Sequence, residues 1–248
     1  MLNIVIPMAG KGSRFADVGF ELPKPLIPIH GKAMIQVVVE NLTPNVEHRF
    51  IFICQNEHIK KYDLVNKLKS YSKTAEVIGI DGVTEGQLCS VLVAKDFINN
   101  DDQVMTANSD QYIDFDINAY LNVIEEKKYD GLIMTMTSDD PKWSYAKIDK
   151  NGCVVQTAEK KVISKDATVG IFNFKKGCDF VAAAEKMIED NQRTNGEFYT
   201  CPAYNYLIKD GQKIGIYSIG SEKNGMYGLG IPEDLEFFLK HPVSRSVI

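Results

Sequence analysis

Two glycines, an arginine and a lysine near the start of the chain have the types and spacing of a phosphate-binding site. Gly10 and Gly12 follow an apolar segment, Arg14 comes two residues later, and Lys24 follows between two prolines. Glycines permit positive φ and let the backbone approach a ligand closely, and successive amides of a turn form an anion-binding concavity. An arginine grips phosphate oxygens with a forked guanidinium, and a lysine adds a compact charge. The pattern therefore predicts a site for a phosphate chain.

The residues around this loop help to separate a triphosphate site from a plain structural turn. Phe15 stands where the dinucleotide motif Gly-x-Gly-x-x-Gly has its third glycine, and the P-loop ending Gly-Lys-Ser/Thr is missing, so neither motif applies. On its own, Gly-x-Gly-x-Arg is typical of a structural turn. Pro23 and Pro25 restrict the backbone on both sides of Lys24, which suits a charge that must be held in place.

Strand and helix patterns alternate over the first 107 residues and would bring these groups together. The alternation predicts right-handed crossovers and a largely parallel sheet, in which ligands bind at the carboxyl ends of the strands. Gly10–Arg14 and Asn108–Asp110 both follow predicted strands, so we expect them to meet at one crevice. The predicted strands are Leu2–Pro7, Arg49–Cys54, Ala75–Ile80 and Gln103–Ala107, and the predicted helices are Met34–Leu42, His58–Tyr71 and Gln87–Ile98.

The second half of the chain is less regular. Asn151-Gly152 is a turn signal that predicts a hairpin of Tyr145–Ile148 with Cys153–Thr157. No repeat, low-complexity tract or linker interrupts the chain, so we expect one continuous α/β domain over residues 1–248. Further strands are predicted at Gly131–Thr137, Thr168–Phe174 and Lys213–Ser218, and helices at Gly177–Asp190 and Asp234–Lys240.

Composition argues against several classes of protein. The net charge of −5 argues against a nucleic-acid surface. No apolar run approaches the roughly 18 residues of a membrane span, and the apolar start has neither a basic segment nor a cleavage site. The five cysteines are widely spaced and odd in number, and the four histidines are equally scattered, which predicts free thiols and no zinc site. We therefore expect a cytoplasmic protein with no nucleic-acid and no membrane partner.

The whole opening string resembles the sugar-phosphate nucleotidyltransferase (NTP-transferase) superfamily. That family's loop reads roughly Gly-Gly-x-Gly-Thr/Ser-Arg, followed by Pro-Lys-x-Leu and a Gly-Lys-Pro-Met-Ile-like segment. This chain has Pro-Lys-Pro-Leu at 23–26 and Gly-Lys-Ala-Met-Ile at 31–35, with Ala9 and Ala33 in place of a glycine and a proline. The resemblance implies a Rossmann-like three-layer sandwich with a mostly parallel central mixed sheet, in the short form without a C-terminal extension. Its nucleotide-binding half would cover about 1–115 and its acceptor-binding half about 116–248.

The resemblance also implies a reaction, in which a nucleoside triphosphate and a phosphorylated small molecule give an activated product and pyrophosphate. The acceptor phosphate is already nucleophilic, so catalysis would rest on positioning and on charge neutralisation. Arg14, Lys24 and Asp110 would be the catalytic residues. Asp110 would hold the essential Mg²⁺, which prefers one or two carboxylates with phosphate oxygens and water. The nucleotide would contact Met8, Ala9, Gly10, Lys11, Gly12, Ser13, Gly86 and Asn108.

Acceptor contacts are implied mainly for the second half. Glu159 would hold acceptor hydroxyls and Lys160 the acceptor phosphate, although Lys161 replaces the proline of the family's Glu-Lys-Pro segment. The complete set is Tyr145, Ala146, Glu159, Lys160, Thr168, Gly170 and Glu197. Around Gly86, a plain helix start that is capped by Thr84 is the alternative to a contact with the base.

One departure from the family concerns the metal site. Sugar enzymes of the family often read Trp-x-Asp-x-Gly, with the aspartate as a second magnesium ligand, whereas this chain has Gly228 at that position. Either Asp110 holds the ion with phosphates and water, or another carboxylate substitutes. Glu233 and Asp234 are expected to start the last helix, where acidic side chains interact favourably with the helix dipole.

The sequence leaves the acceptor and the base open. A sugar 1-phosphate, for surface-polysaccharide precursors, is the first expectation, and a cytidylyltransferase for a non-sugar alcohol, amine or polyol phosphate is the alternative. The rival classes are a nucleotide-binding regulatory module without catalysis, which Gly228 favours, and a nucleotide-sugar glycosyltransferase, which the Asp-x-Asp match at 114–116 favours. Relatives are often dimers or tetramers, so a homodimer is compatible with the resemblance.

Overall fold

The chain folds around one large mixed β-sheet with helices on both faces, in a computed structural model that describes residues 1–10 and 12–248. The strands are β1 (Leu2–Pro7), β2 (Pro28–Ile29), β3 (Lys32–Ala33), β4 (His48–Gln55), β5 (Glu76–Ile80), β6 (Gln103–Ala107), β7 (Gln111–Ile113), β8 (Gly131–Thr137), β9 (Tyr145–Ile148), β10 (Val154–Ala158), β11 (Asp166–Phe174), β12 (Ile214–Glu222) and β13 (Gly225–Gly228). The helices are α1 (Ser13–Ala16), α2 (Met34–Leu42), α3 (Asn56–Tyr62), α4 (Leu64–Tyr71), α5 (Gln87–Leu92), α6 (Lys95–Ile98), α7 (Ile117–Glu126), α8 (Gly177–Glu189), α9 (Tyr204–Lys209) and α10 (Pro232–Lys240). Short 3₁₀ helices cover Lys24–Leu26, Cys201–Ala203 and Pro242–Val247.

The central sheet is mixed and mostly parallel, as expected. Its strands run in the order β5-β4-β1-β6-β11-β8-β12-β13-β7, and β9 and β10 form a hairpin that joins β11. Strand β11 is antiparallel to its neighbours β6 and β8, whereas β5, β4, β1 and β6 are parallel to one another. The carboxyl ends of β1 and β6 and the start of β11 therefore meet at one edge, where ligands bind in sheets of this kind.

Apolar side chains on both faces of the sheet give three layers. In β1, Ile4 and Ile6 pack with residues of α2, α4 and α7, whereas Val5 packs with residues of α5, α8 and α9. The division follows from the alternation of side chains along a strand. The prediction of a Rossmann-like three-layer sandwich is confirmed.

A third apolar cluster lies next to the phosphate loop. It joins Phe15 of α1 to Ile27, to Tyr112 and Tyr227 of the neighbouring strands β7 and β13, and to Phe238 of α10. Phe15 is only 1% exposed, although the rest of α1 faces solvent. The side chain that rules out the dinucleotide motif is thus the one that anchors the loop to the body of the protein.

Two of the predicted helices are each divided in two. The pattern over His58–Tyr71 predicts one helix, but the structure has α3 and α4, separated by Asp63 with a left-handed φ of 53°. An aspartate tolerates this conformation, and here its carboxylate also accepts a hydrogen bond from the side-chain amide of Asn66. The pattern over Gln87–Ile98 is also divided, into α5 and α6, without a left-handed residue between them.

The other predicted elements are present, with ends displaced by a few residues at most. The Asn151-Gly152 hairpin is confirmed, since Gly152 has a φ of 79° and the N–H of Asp149 bonds to the carbonyl of Cys153 at 2.8 Å. Strands β7 and β13 and helix α7 have no counterpart in the sequence predictions. Among the described helices, none is long and apolar enough to cross a bilayer.

Candidate active site

A cleft of about 710 Å³ opens at the carboxyl ends of β1 and β6. Its volume lies within the usual range of small-molecule sites. One wall comes from the phosphate loop, the β5–α5 loop and α5. The other comes from the segment before β9, the residue after β10, the start of β11 and the stretch from 197 to 201. The predicted site residues that line it are Ala9, Gly10, Lys24, Gly86, Asn108, Asp110, Glu159, Thr168, Gly170 and Glu197.

Lys24 and Asp110 form an ion pair in the wall of the cleft. The Nζ atom of Lys24 donates to Oδ2 of Asp110 at 2.6 Å, and their side chains are 23% and 25% exposed. Lys24 begins a 3₁₀ helix in which Pro25 is buried, so its backbone is fixed. Gly12 lies against it, because a Cβ added at Gly12 would be 3.4 Å from the Cβ of Lys24. The fold thus brings two of the three predicted catalytic residues into contact.

The two loop glycines differ in what the protein itself requires of them. Gly12 has a φ of 61°, in the left-handed region that favours glycine. Gly10 is outside that region, and a Cβ added there would meet nothing within 4 Å. Neither the backbone nor the packing of the protein therefore requires a glycine at position 10, and its missing side chain leaves space at the edge of the cleft.

Other residues predicted for the nucleotide lie beside the cleft and not in its lining. Met8 is 5% exposed and belongs to the core. Ser13 and Arg14 are exposed on α1, so the predicted contact of Arg14 with phosphate would have to be made from the surface of that helix. Lys11 lies outside the described residues.

Gly86 is required by a contact within the protein. It has a φ of 136°, and a Cβ added to it would lie 2.3 Å from the carbonyl oxygen of Phe198. The residues on either side of Gly86 pair with the same segment. The N–H of Phe198 donates to the carbonyl of Glu85 at 2.9 Å, and the N–H of Leu88 donates to the carbonyl of Phe198 at 3.0 Å. The two walls of the cleft are therefore joined at Gly86.

The start of α5 differs from the predicted capping arrangement. Thr84 makes no cap, because its hydroxyl donates to the carbonyl of Gly86, and Gln87 is the first helical residue. The side-chain amide of Gln87 donates to Oδ1 of Asn108 at 2.6 Å. A Cβ added to Gly170, which has a φ of 79°, would lie 2.1 Å from Nδ2 of Asn108. Gly170 thus makes room for Asn108 in the floor of the cleft.

Asp110 is the carboxylate that fits a magnesium ion. A Cβ added at Gly230 would lie 2.4 Å from Oδ2 of Asp110, so the missing side chain of Gly230 leaves room for this carboxylate. No three His, Cys, Asp or Glu side chains in the described part of the chain form a metal cluster. Asp110 can supply one of the one or two carboxylates that an ion such as Mg²⁺ takes, with phosphate oxygens and water completing the shell.

Gly228 stands where the family has its second carboxylate, and Asp234 lies next to it. A Cβ added at Gly228 would be 3.2 Å from Oδ2 of Asp234. Asp234 belongs to the first turn of α10 with Glu233, as predicted. Burial raises the pKa of Asp234, and the nearby charge of Lys223 opposes this rise. A carboxylate from the following helix thus borders the space that a side chain at position 228 would fill.

Glu159 and Lys160 follow β10 and have different partners. The hydroxyl of Ser144 donates to Oε2 of Glu159, and burial raises the pKa of Glu159 in spite of this bond and of the charge of Lys160. Nζ of Lys160 donates to the hydroxyl of Tyr199 at 2.8 Å, and this hydrogen bond raises the pKa of the lysine. Tyr199 lines the cleft, but Lys160 does not. The cation predicted for the acceptor phosphate is therefore held by an aromatic residue of the wall.

Tyr145 and Ala146, which are predicted to contact the acceptor, do not line the cleft. Both are fully buried in β9, where Tyr145 joins the core on one side of the sheet and Ala146 the core on the other. The hydroxyl of Tyr145 donates to the carbonyl of Asp140. The strand begins at Tyr145, and the preceding residues Trp143 and Ser144 line the cleft instead.

Sequence reasoning also missed Lys142, Trp143 and Tyr199 in the wall of the cleft. Lys142 donates from Nζ to Glu222 at 2.9 Å, and its ammonium lies 4.9 Å from the ring centre of Trp143. Trp143 is the single tryptophan of the chain, which is the one signal that could have identified it. Lys142 has no comparable signal, because its partner is 80 residues away.

Two other chemistries find no support in the cleft. The five cysteines are free, as predicted, and burial raises the pKa of the Cys201 thiol, so this wall residue is not a reactive thiolate. The Asp-x-Asp match contributes nothing to the cleft lining. Asp116 caps α7 by accepting a hydrogen bond from the N–H of Asn118, and this bond lowers its pKa. The match is therefore explained by a helix start.

The fold and the charged cleft define an α/β protein with a cleft at the edge of a mostly parallel sheet, where proteins of this class bind their ligands. Within this class, residues 4–214 match the model of the nucleotidyl transferase family. The match covers most of the chain, and the chain belongs to this family.

Individual relatives agree with this assignment. The bifunctional protein GlmU of Methanocaldococcus jannaschii is 27% identical over 220 residues, which are 87% of this chain and 49% of that protein. The chain thus spans about half the length of this relative. A nucleoside-diphosphate-sugar pyrophosphorylase from Vibrio cholerae RC9 is 25% identical, with a TM-score of 0.81 over 96% of this chain and 100% of that chain. The inositol-1-phosphate CTP transferase of T. maritima shares the fold, with a TM-score of 0.73 at 14% identity over 99% of this chain and 94% of that one.

Proposed function

We propose that the protein is a nucleotidyltransferase that joins a nucleoside triphosphate to a phosphorylated small molecule and releases pyrophosphate. The observation that carries this proposal is the Lys24–Asp110 ion pair beside Gly12, at the strand edge where the phosphate loop faces the second wall of the cleft. A lone phosphate-binding loop would serve many functions. A fixed cation, a carboxylate and a second, separate wall in one cleft are what a reaction between two phosphorylated substrates needs.

In the proposed reaction, an oxygen of the acceptor phosphate attacks the α-phosphorus of the triphosphate. A new P–O bond forms as the bond to the departing pyrophosphate breaks, and no protein group has to remove a proton. Lys24 neutralises charge near the α-phosphate, and the amides of the loop at Gly10 and Gly12 bind the phosphate chain. Arg14 would bind the departing pyrophosphate from the exposed side of α1. Catalysis by this chain thus consists of holding two anions in line.

The metal ion proposed for this site is Mg²⁺, with Asp110 as its first carboxylate. The bound ion would neutralise charge on the triphosphate. We propose Asp234 as the second carboxylate, because it borders the space beside Gly228 where the family has its aspartate. With this assignment the site would keep two carboxylates despite Gly228. The glycine at this position would then no longer favour a regulatory module without catalysis.

For the acceptor we propose a sugar 1-phosphate, on the path to surface-polysaccharide precursors. Glu159 supports this choice, because it is a carboxylate of the wall that receives a hydrogen bond from Ser144 and can accept others from hydroxyls. One observation favours the second candidate, a cytidylyltransferase for a non-sugar alcohol or amine phosphate. Tyr145, which would line the pocket in sugar enzymes, is buried here, and the wall is built from Trp143 and Tyr199.

The test is a screen for pyrophosphate release. The four common NTPs are combined, with Mg²⁺, with a panel of sugar 1-phosphates, polyol phosphates and phosphorylated amino alcohols. We expect one NTP and one class of acceptor to give release well above all others, and Asp110→Asn to abolish it. Binding of NTPs without release in any combination would contradict the proposed function and support the regulatory module.

A further inference from the structure

A tight hairpin at the end of the acceptor wall contacts the nucleotide wall directly. Thr194 and Glu197 exchange both of their backbone hydrogen bonds at 3.0 Å, and Asn195 and Gly196 between them have φ values of 50° and 83°. These features define a type I′ turn, the turn that Asn-Gly favours. We call residues 191–199 the Asn-Gly hairpin segment. Within this segment, Glu197 closes the turn and lines the cleft, and the next residue, Phe198, belongs to the core.

Arg193 holds this segment from outside the cleft, since it is absent from the lining. Its Nε donates to Oδ1 of Asn191 at 2.7 Å, and one Nη donates to the carbonyl of Gly196 at 3.0 Å. Its other Nη forms an ion pair with Glu85 of the nucleotide wall. The guanidinium also lies 4.0 Å from the ring centre of Phe198. One side chain thus contacts the turn, the core anchor and the opposite wall.

The ion pair alone would not explain a strong link. Glu85 is 68% exposed, and exposed pairs contribute little because water and salt screen them. The side chain of Arg193, however, is 29% exposed, and its guanidinium is stacked on a buried ring and uses several of its donors, so its geometry is fixed. The contacts of this guanidinium add to the two backbone hydrogen bonds that Phe198 forms with Glu85 and with Leu88.

The backbone contact leaves no freedom at Gly86. Its Cα lies so close to Phe198 that an added Cβ would be 2.6 Å from the nitrogen and 2.3 Å from the oxygen of that residue. Gly86 and Gln87 line the nucleotide side of the cleft, and Glu197 and Tyr199 line the acceptor side. A shift of Phe198 would therefore move wall residues of both sides together.

We infer that Arg193 is a positioning residue that fixes the position of the nucleotide wall relative to the acceptor wall through its contacts with Glu85 and Phe198. The inference rests on the proposed function only in what the walls bind. Loss of Arg193 should weaken the binding of both substrates. It should leave the reacting groups in place, since neither Lys24 nor Asp110 contacts Arg193. The expected signature is a rise in both KM values with little change in kcat.

Hydrogen exchange tests the link independently of any activity. In Arg193→Met, we expect the amides of Leu88 and Phe198, followed in peptides covering 84–90 and 194–200, to exchange roughly tenfold faster than in the wild-type protein. Arg49→Met is the matched control. Arg49 also stacks on a phenylalanine, with its guanidinium 5.0 Å from the ring centre of Phe97, and it also bonds to an asparagine, but it lies away from the cleft lining. This control should leave both peptides unchanged.

The kinetic experiment uses the NTP and acceptor that give the greatest pyrophosphate release in the screen. We expect Arg193→Met to raise both KM values about five- to tenfold, within the usual range of coupling between sites, with kcat within about threefold of wild type. Glu85→Gln should give a smaller change in the same direction, because it removes only the ion pair. Unchanged exchange in both peptides, or a change in kcat alone, would overturn the inference. If the wild-type protein releases no pyrophosphate, the proposed function fails, while the exchange comparison still decides whether Arg193 links the walls.

Discussion

Replacing Lys24 by methionine separates a catalytic charge from a structural one. Methionine keeps an unbranched side chain beside Gly12, where the Cβ of Lys24 lies 3.4 Å from the position of an added Cβ, and removes only the ammonium. The ion pair with Asp110 at 2.6 Å is then lost, together with the cation that we assign to the α-phosphate. Loss of the cation should lower turnover strongly, whereas loss of the ion pair should lower stability only slightly, so the variant separates the two roles.

The expected effect on turnover is large. A unit charge about 4 Å from a phosphate oxygen contributes on the order of 4 kcal/mol at an effective dielectric constant of about 20. Removing one preorganised group that stabilises charge in a transition state costs about 3 kcal/mol in other enzymes. This corresponds to a loss in kcat of about a hundredfold or more. The effect on folding is smaller, because both partners are about a quarter exposed. We expect at most about 1 kcal/mol, or a shift in Tm of about 2–4 °C.

Pyrophosphate release and thermal unfolding are measured on the same preparations. Lys32→Met is the matched control, since Lys32 forms a similar ion pair with Glu40 at 2.8 Å, with side chains 30% and 44% exposed, away from the cleft lining. It should show a small change in Tm and normal turnover. A Lys24→Met protein whose kcat is within tenfold of wild type, at a normal Tm, would refute the assignment of Lys24 to the reaction.

Three further predictions follow from the geometry of the cleft. Gly10→Ala should leave the Tm unchanged, because the added Cβ meets nothing within 4 Å, and should weaken NTP binding in calorimetric titrations by roughly tenfold or more; normal NTP affinity would contradict a phosphate chain at this point. Glu159→Gln should raise stability at pH 7, and the gain should shrink as the pH falls toward the ordinary pKa of 4.5, because burial raises the pKa of this carboxyl and its ionisation therefore destabilises the folded state. Unfolding temperatures across this pH range would show a constant difference if the reasoning were wrong. Asp234→Asn should weaken Mn²⁺ binding in the presence of a non-hydrolysable NTP analogue by roughly tenfold, measured by electron paramagnetic resonance, and adding Gly228→Asp should restore it. An affinity that the second substitution fails to recover would remove Asp234 from the metal site.

Local patterns predicted the elements that depend on local information. Strand β1 and helix α2 match their predicted bounds, because an apolar run and a 3.6-residue apolar spacing each stay within one element. The break at Asp63 could not be read in this way, since its left-handed conformation interrupts an apolar spacing that continues through it. Strands β7 and β13 were missed because they are short and find their partners far along the chain.

The same distinction holds for the site. Lys24 and Asp110 were predicted because each follows its own local motif, and the parallel sheet brings the ends of β1 and β6 together. Lys142 was missed because its place in the wall depends on the turn before β9 and on Glu222 in another strand. Arg193 was missed although Asn195-Gly196 marks the hairpin that it holds. A turn signal gives the local backbone, and it does not say which distant wall the turn will meet.

The geometry also explains why the family likeness identifies the nucleotide side more firmly than the acceptor side. On the nucleotide side and the floor, backbone positions decide the shape: Gly12 has a positive φ, and the Cα atoms of Gly86 and Gly170 leave no room for a Cβ. Any other residue there strains the backbone or collides with neighbouring atoms. The shape of this side therefore depends on glycines that can be recognised in the sequence. The acceptor wall is built from side chains, among them the rings of Trp143 and Tyr199, each with a lysine ammonium within 5 Å of its centre. Such residues can be exchanged without a change in the backbone, so a motif of glycines and charges carries little information about them. The acceptor therefore has to be identified by turnover, and the two rings are the first positions at which substitutions should change which acceptor is used.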